Sequence, residues 1–173
     1  MTLAFLVRKA VAAEAEALPA VEQEAGERFG SVSGLAAFAG GDNLPAAFHA
    51  PLIAAGWVWV AVSPDGEIVA FLTAEPFGDA LHLHELDVLT AWQGRGVGRA
   101  LVAASLAEAR AHGLSALTLT TFRDVAWNAP YYGRLGFVVV DEAELPAHLA
   151  DALIRERENG FPMERRCAMR LAI

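Results

Sequence analysis

The chain has 173 residues, a formal net charge of −8 at pH 7, 55% hydrophobic residues and 20% charged ones. That length and apolar content fit one packed domain over residues 1–173 and exclude a disordered chain. The acidic balance argues against a nucleic-acid partner, whose phosphates need a basic surface, and no apolar run is long enough to span a bilayer, so no membrane partner is expected.

Cys167 is the single cysteine, so no intrachain disulfide can form, and a reducing, cytoplasmic setting is the expectation. The first residues lack a basic segment followed by an apolar one, so no secretory signal is expected. The negative charge suits the attraction of cationic amines.

Leu3 to Val7 reads as a first strand. Ala12 to Arg28 carries apolar residues at helical spacing, with Pro19 starting or kinking the helix. Gly30 to Asn43 is irregular, and Pro45 to Ala55 reads as a second helix closed by Gly56. Trp57 to Val62 and Ile68 to Ala74 form a hairpin about Ser63-Pro64-Asp65-Gly66. A strand follows from Leu81 to Leu89, then a helix from Gly96 to about His112 ended by Gly113. Leu114 to Thr121 is a strand, Trp127 to Leu135 a short helix, and Phe137 to Val140 a strand. Glu144 to Glu158 reads as a helix with Leu145, Leu149, Ala152 and Leu153 inward, and Met163 to Leu171 as a last strand. No repeat or linker divides this order, which describes an α/β fold with a mixed central sheet flanked by helices.

The chemistry-bearing stretch joins the fourth strand to the third helix. Gln93-Gly94-Arg95-Gly96-Val97-Gly98 has glycine at every second position, which lets backbone approach a ligand closely. The amides opening the helix have no intrahelical partner, and with the helix dipole they favour a phosphate or pyrophosphate. Arg95 and Arg99 add positive charge. A P-loop is excluded because no GK[ST] follows. A dinucleotide fingerprint is excluded because the sixth position is Arg99 or Leu101, and because Leu117 to Thr121 offers no ribose-binding acid.

The hexapeptide Gln93 to Gly98 resembles the pyrophosphate loop of the GNAT superfamily of acyl-CoA-dependent N-acetyltransferases. A second segment, Tyr131-Tyr132-Gly133-Arg134-Leu135-Gly136-Phe137, is similar to the aromatic block that closes GNAT domains. The element order also matches that fold over nearly the whole chain. The resemblance implies acetyl-CoA as acyl donor, held by Gln93, Gly94, Arg95, Gly96, Val97, Gly98 and Arg99. It implies that the strand end at Val88 and Leu89 pairs its backbone with the pantetheine, and that Tyr132 protonates the departing thiolate. Asn128 is either a helix N-cap or a holder of the pantetheine arm.

His82-Leu83-His84 adds a third feature. Residues two apart on a strand share a face, so the pair could relay a proton from an ammonium with a pKa of about 10.4. His-Leu-His at this offset from the glycine loop resembles the arylalkylamine (serotonin) N-acetyltransferases, in which both His serve as a water-linked base. Glu85 is the competing base, since many GNAT enzymes use a strand carboxylate. His-x-His with Asp87 is also a partial metal-ligand set, but GNAT chemistry needs no metal and none is expected.

The acceptor wall is expected over Phe29 to Phe48, with Phe38, Asp42, Trp57 and Trp59 as contacts. A small-molecule or peptide amine fits it. The sequence also admits a non-catalytic acyl-CoA sensor, an acetyltransferase of protein N-termini or lysines, and assembly as a homodimer.

Overall fold

The computed structural model describes residues 4–41 and 43–173, and Asp42 lies outside them. Seven strands are seen among the described residues, joined by both antiparallel and parallel pairs and flanked by helices, the mixed α/β fold that the sequence suggests. The chain forms two compact units, one running up to Glu75 and taking in Glu85–Ala107, the other made of Pro76–His84 and Glu108–Ile173.

The first unit holds β1 (Leu6–Lys9), α1 (Leu18–Gly26), α2 (Ala46–Ala54), β2 (Val58–Val62) and most of β3 (Ile68–Phe77). It also holds the end of β4 (Ala80–Val88) and most of α3 (Val97–Ala111). β1 pairs antiparallel with β2, and β2 with β3. Its core is Leu18 and Val21 of α1, Ile53 of α2, Val58, Val60 and Val62 of β2, and Phe71 of β3. β1 begins at Leu6; the expected start at Leu3 falls outside the described residues.

Ala12–Ala17 forms a 3₁₀ turn, and α1 proper starts only at Leu18. Pro19 is the reason. It has no N–H, and its ring collides with the carbonyl four residues back, so an α-helix cannot run through it but can begin on it. Trp57 and Trp59 meet edge to face, with ring centres 6.5 Å apart. The Lys9 ammonium lies 3.9 Å from the Trp59 ring centre, so this pair holds a cation of its own chain.

The second unit holds the start of β4, β5 (Ala116–Phe122), α4 (Ala129–Arg134), β6 (Val138–Val139), α5 (Ala147–Glu158) and β7 (Arg166–Ala172). β4 and β5 are parallel, with Ala80, Leu81 and His82 beside Ala116, Leu117 and Thr118. β7 pairs antiparallel with both β5 and β6. Cys167 is buried on β7.

The helix expected from Glu144 starts at Ala147, because a residue before proline is pushed towards extended backbone and Leu145 sits at ψ 121 ahead of Pro146. Leu149 and Ala152 of α5 are buried. Two threonines on one face of β5 also bind α5 residues: Thr118 bonds His148, and Thr120 donates to Glu156. Glu156 in turn accepts two hydrogen bonds from the Arg166 guanidinium, at 2.8 and 2.7 Å. That guanidinium lies 4.5 Å from the ring centre of Phe122 and 4.9 Å from that of Phe161.

Glu156→Ala strands the Arg166 charge between two aromatic rings. The expected cost is about 3 kcal/mol, the usual loss when one partner of a buried pair is removed. Urea unfolding followed by circular dichroism checks this; a midpoint equal to that of the native protein contradicts it.

Candidate active site

In the first unit the glycine turn follows directly from its residue types. Gly94 and Gly96 have φ of 72° and 82°, a region closed to most L-residues. A side chain at either would meet open space, so backbone conformation and not crowding requires glycine here. Gly98 is already helical, within α3. Ala100 N–H bonds back to Gly96 O at 3.0 Å. The amides of Gly96, Val97, Gly98 and Arg99 thus precede any intrahelical acceptor and stand at the positive end of a 15-residue helix. Such a concavity suits a pyrophosphate.

Val97 is buried and anchors the first turn, while Arg99 is exposed. Arg95 is turned back, its Nε donating to Ala91 O at 2.9 Å and its guanidinium over Trp92. Gln93 folds its side-chain amide onto Val88 O at 2.9 Å. Leu89 spends both backbone groups internally, donating to Val69 O and accepting from Trp92 N–H. Strand alternation points Val88 the opposite way from Leu89.

The same unit contains a carboxyl group pair that the sequence did not reveal. Both Glu22 oxygens on α1 accept from Leu44 N–H, at 3.2 and 3.0 Å. Burial pushes Glu22 up to about 7, against that hydrogen bond. Asp87 of β4 is pushed well above the usual carboxylate range, first by burial and then by the charge of Glu22, against a hydrogen bond from Glu85. Asp87 Oδ2 is buried with no hydrogen-bond partner among the described residues. Glu85 therefore sits in a carboxyl cluster.

In the second unit the two histidines do share a face of β4, with ring centres 5.0 Å apart. Phe77 lies edge-on to both. His82 is 5% exposed. Burial, then the nearby His84, His148 and Arg155, push it down to about 3, so it is a neutral imidazole at neutral pH. Its Nδ1 meets Thr118 Oγ1 at 3.2 Å, and that oxygen meets His148 Nε2 at 3.0 Å. His148, from α5, stacks on Phe77 with centres 5.4 Å apart and planes 6° apart. Nothing in the sequence singled out His148. Its only signal is a helical face, His148-Asp151-Arg155, that stays polar on a helix with a buried side.

That face lines a cavity of about 480 Å³ together with Phe77, Asp79 and Arg170. Tyr132 on α4 is half-buried against Phe137 and Tyr131, with ring centres at 5.6 and 5.4 Å. Asn128 stands at the N-cap position of α4 without a side-chain cap bond, and its buried Oδ1 has no partner among the described residues. Among those residues no three His, Cys, Asp or Glu side chains gather as metal ligands, His82, His84 and Asp87 included.

The acetyltransferase (GNAT) family matches residues 20–137. Among solved structures, Rv2747 from Mycobacterium tuberculosis in complex with CoA is 19% identical, covers 97% of this chain and 99% of its own, and superposes with a TM-score of 0.70. PaiA N-acetyltransferase from Thermoplasma acidophilum in complex with coenzyme A is 14% identical, with 99% and 100% coverage and a TM-score of 0.70. The ribosomal-protein-S18-alanine N-acetyltransferase from Escherichia coli is 18% identical, with 98% and 94% coverage and a TM-score of 0.68. At these identities the likeness is one of fold.

The carboxyl pair has a consequence for stability. Both groups bind protons more tightly folded than unfolded, so their contribution is fully present below the unfolded carboxyl values, about 4.5 for Glu22, and is lost as pH rises, through about 7 for Glu22 and through the raised range of Asp87. Asp87→Asn is therefore expected to raise the thermal midpoint at pH 8 and to flatten its fall between pH 5 and 8. Calorimetric scans across that range decide it; an unchanged slope removes the assignment.

Proposed function

The chain belongs to the GNAT acetyltransferase family, and we propose that it moves an acetyl group from acetyl-CoA to a primary amine by direct attack. The observation that carries this reading is the left-handed pair Gly94 and Gly96 heading α3. CoA bound in two structures of this fold supports the donor.

Each residue then has a task. The pyrophosphate falls to the amides from Gly94 to Gly98, since Gln93 N–H already bonds Thr90 O, with exposed Arg99 adding charge and Arg95 bracing the turn through Ala91. Backbone pairing with the pantetheine is assigned to Val88, whose C=O the Gln93 side-chain amide must release, because Leu89 uses both its N–H and its C=O within its own unit. Asn128 offers its buried Oδ1 to a pantetheine N–H, a use that its missing cap bond leaves open. Tyr132 gives its phenolic proton to the thiolate; thiol and phenol lie at about 8.5 and 10, so the transfer is nearly level.

The incoming ammonium must lose a proton before it can attack. His82 and His84 are the proposed acceptors through water, and a neutral His82 is in the form that accepts. An imidazole held this low passes a proton on; it does not store one. Glu85 is the rival base, and its hydrogen bond to Asp87 ties it to groups that already favour their protons.

Free-thiol release from acetyl-CoA, measured against a panel of small amines and peptides, tests the reading. Turnover on a small amine supports it, turnover confined to peptides moves the acceptor to protein N-termini or lysines, and tight CoA binding without turnover makes the chain a sensor. Tyr132→Phe is expected to lower kcat about 100-fold with acetyl-CoA binding retained. Full turnover in that variant removes the acid assignment. Gly96→Ala forces a positive φ on an L-residue; it is expected to raise the KM for acetyl-CoA with little change in kcat, and an unchanged KM denies the turn its phosphate role.

A further inference from the structure

We propose that His148 on α5 is a positioning residue that takes the acceptor's proton from His82 through the Thr118 hydroxyl and releases it into the cavity beside α5. This rests on the acetyl-transfer reading with His82 as the first acceptor.

The geometry is a chain of three groups. His82 Nδ1 lies 3.2 Å from Thr118 Oγ1, and Thr118 Oγ1 lies 3.0 Å from His148 Nε2. A hydroxyl has one proton to give, so it cannot donate to both imidazoles. With His82 Nδ1–H donating to Thr118, Thr118 donates to His148 Nε2, and His148 carries its own proton on Nδ1. A proton arriving at His82 Nε2 then moves the rest along. His82 releases its Nδ1 proton to Thr118, Thr118 releases its own to His148 Nε2, and His148 releases its Nδ1 proton to water in the cavity. Thr118 and each imidazole gain one proton and lose one, and the net change is one proton from ammonium to solvent. Rotation of the hydroxyl and tautomer exchange at the rings reset the chain.

Three observations make this more than a contact. His82 is buried and His148 half-buried, so the chain leads outward. Phe77 stacks flat on His148, which fixes the ring plane with Nε2 on Thr118. His148 opens on the cavity of about 480 Å³. The charged groups around the pair are His84 on β4, Asp79 in the turn before it, Asp151 and Arg155 on α5, and Arg170 on β7. Burial lowers both imidazoles; at His148 Asp79 and Asp151 oppose that shift, whereas at His82 the charges of His84, His148 and Arg155 add to it.

The test is the pH–rate profile of the full-length enzyme with acetyl-CoA and whichever amine of the panel it acetylates. His148→Ala is expected to lose about tenfold in kcat near pH 7, within the range of a proton-transfer contribution, with the KM for acetyl-CoA unchanged. The loss closes near pH 10, where the amine arrives deprotonated. Imidazole in the buffer restores part of the lost rate, because the truncated side chain leaves room beside an open cavity. Thr118→Val shows the same pH-dependent loss, Thr118→Ser recovers most of it, and His148→Ala with Thr118→Val loses no more than either alone.

A loss equal at every pH and insensitive to imidazole, or an unchanged profile in an active His148→Ala enzyme, overturns the relay and leaves acetyl transfer standing. A His82→Ala enzyme with the native profile removes the first acceptor and the relay with it. No thiol release from the native protein on any amine overturns the acetyl-transfer reading itself, and the relay falls with it.

Discussion

The register of β4 against β5 is the constraint on which the second unit depends. Parallel pairing puts His82 beside Thr118, with Leu81 beside Leu117 and Ala80 beside Ala116. Side chains opposite one another in a ladder emerge on the same face, so this register places an imidazole next to a hydroxyl and leucine next to leucine. A slip of one residue would set a leucine against the hydroxyl and turn His82 towards the apolar layer, where a polar ring without a partner costs on the order of 2 kcal/mol. The apolar pairs that surround Thr118 therefore also hold the only alignment in which the polar pair is satisfied. α5 is bound to the same register, since Thr118 and Thr120 on one face of β5 meet His148 and Glu156.

The glycine turn of the first unit is a constraint of a different kind. Nothing crowds it: a side chain at Gly94 or Gly96 would find open space. Its requirement lies in the backbone, which must pass through left-handed φ twice within three residues before α3 can start. Helix and turn are coupled, because Val97 is buried at the first helical position while the residues before it are exposed. The chain thus secures the helix by its apolar side and leaves the amide-bearing end facing outward.

Legibility in the sequence followed the range of each interaction. Gly94, Gly96 and the Tyr132 block were readable because turn conformation and helix termination are local, and His82 with His84 because strand alternation has a fixed period. The start of α5, which the apolar spacing sets at Glu144, lies three residues later for a local reason too: Pro146 imposes extended backbone on Leu145. His148, Thr118, Glu22 and Leu44 were invisible because their roles come from tertiary neighbours far along the chain. Burial was equally hidden. Asp87 reads as an ordinary strand-end acid, and only its position against Glu22 makes it a group that keeps its proton.

Both units bury titratable groups, and each brings them to neutrality by the opposite route. Glu22 and Asp87 hold protons that water would take, and His82 refuses one that water would give. The consequences for folding have opposite signs. Glu22 loses its favourable contribution as pH rises through about 7 and Asp87 as it rises through its raised range, while the imidazole, depressed to about 3, penalises the folded state increasingly as pH falls below about 6.5. Acid relieves one unit and loads the other, so the two effects oppose each other across the mildly acidic range. The two solutions also differ in what they can do with a proton. Asp87, held well above the usual carboxylate range, keeps its proton, whereas a neutral imidazole hydrogen-bonded to a hydroxyl can pass one on.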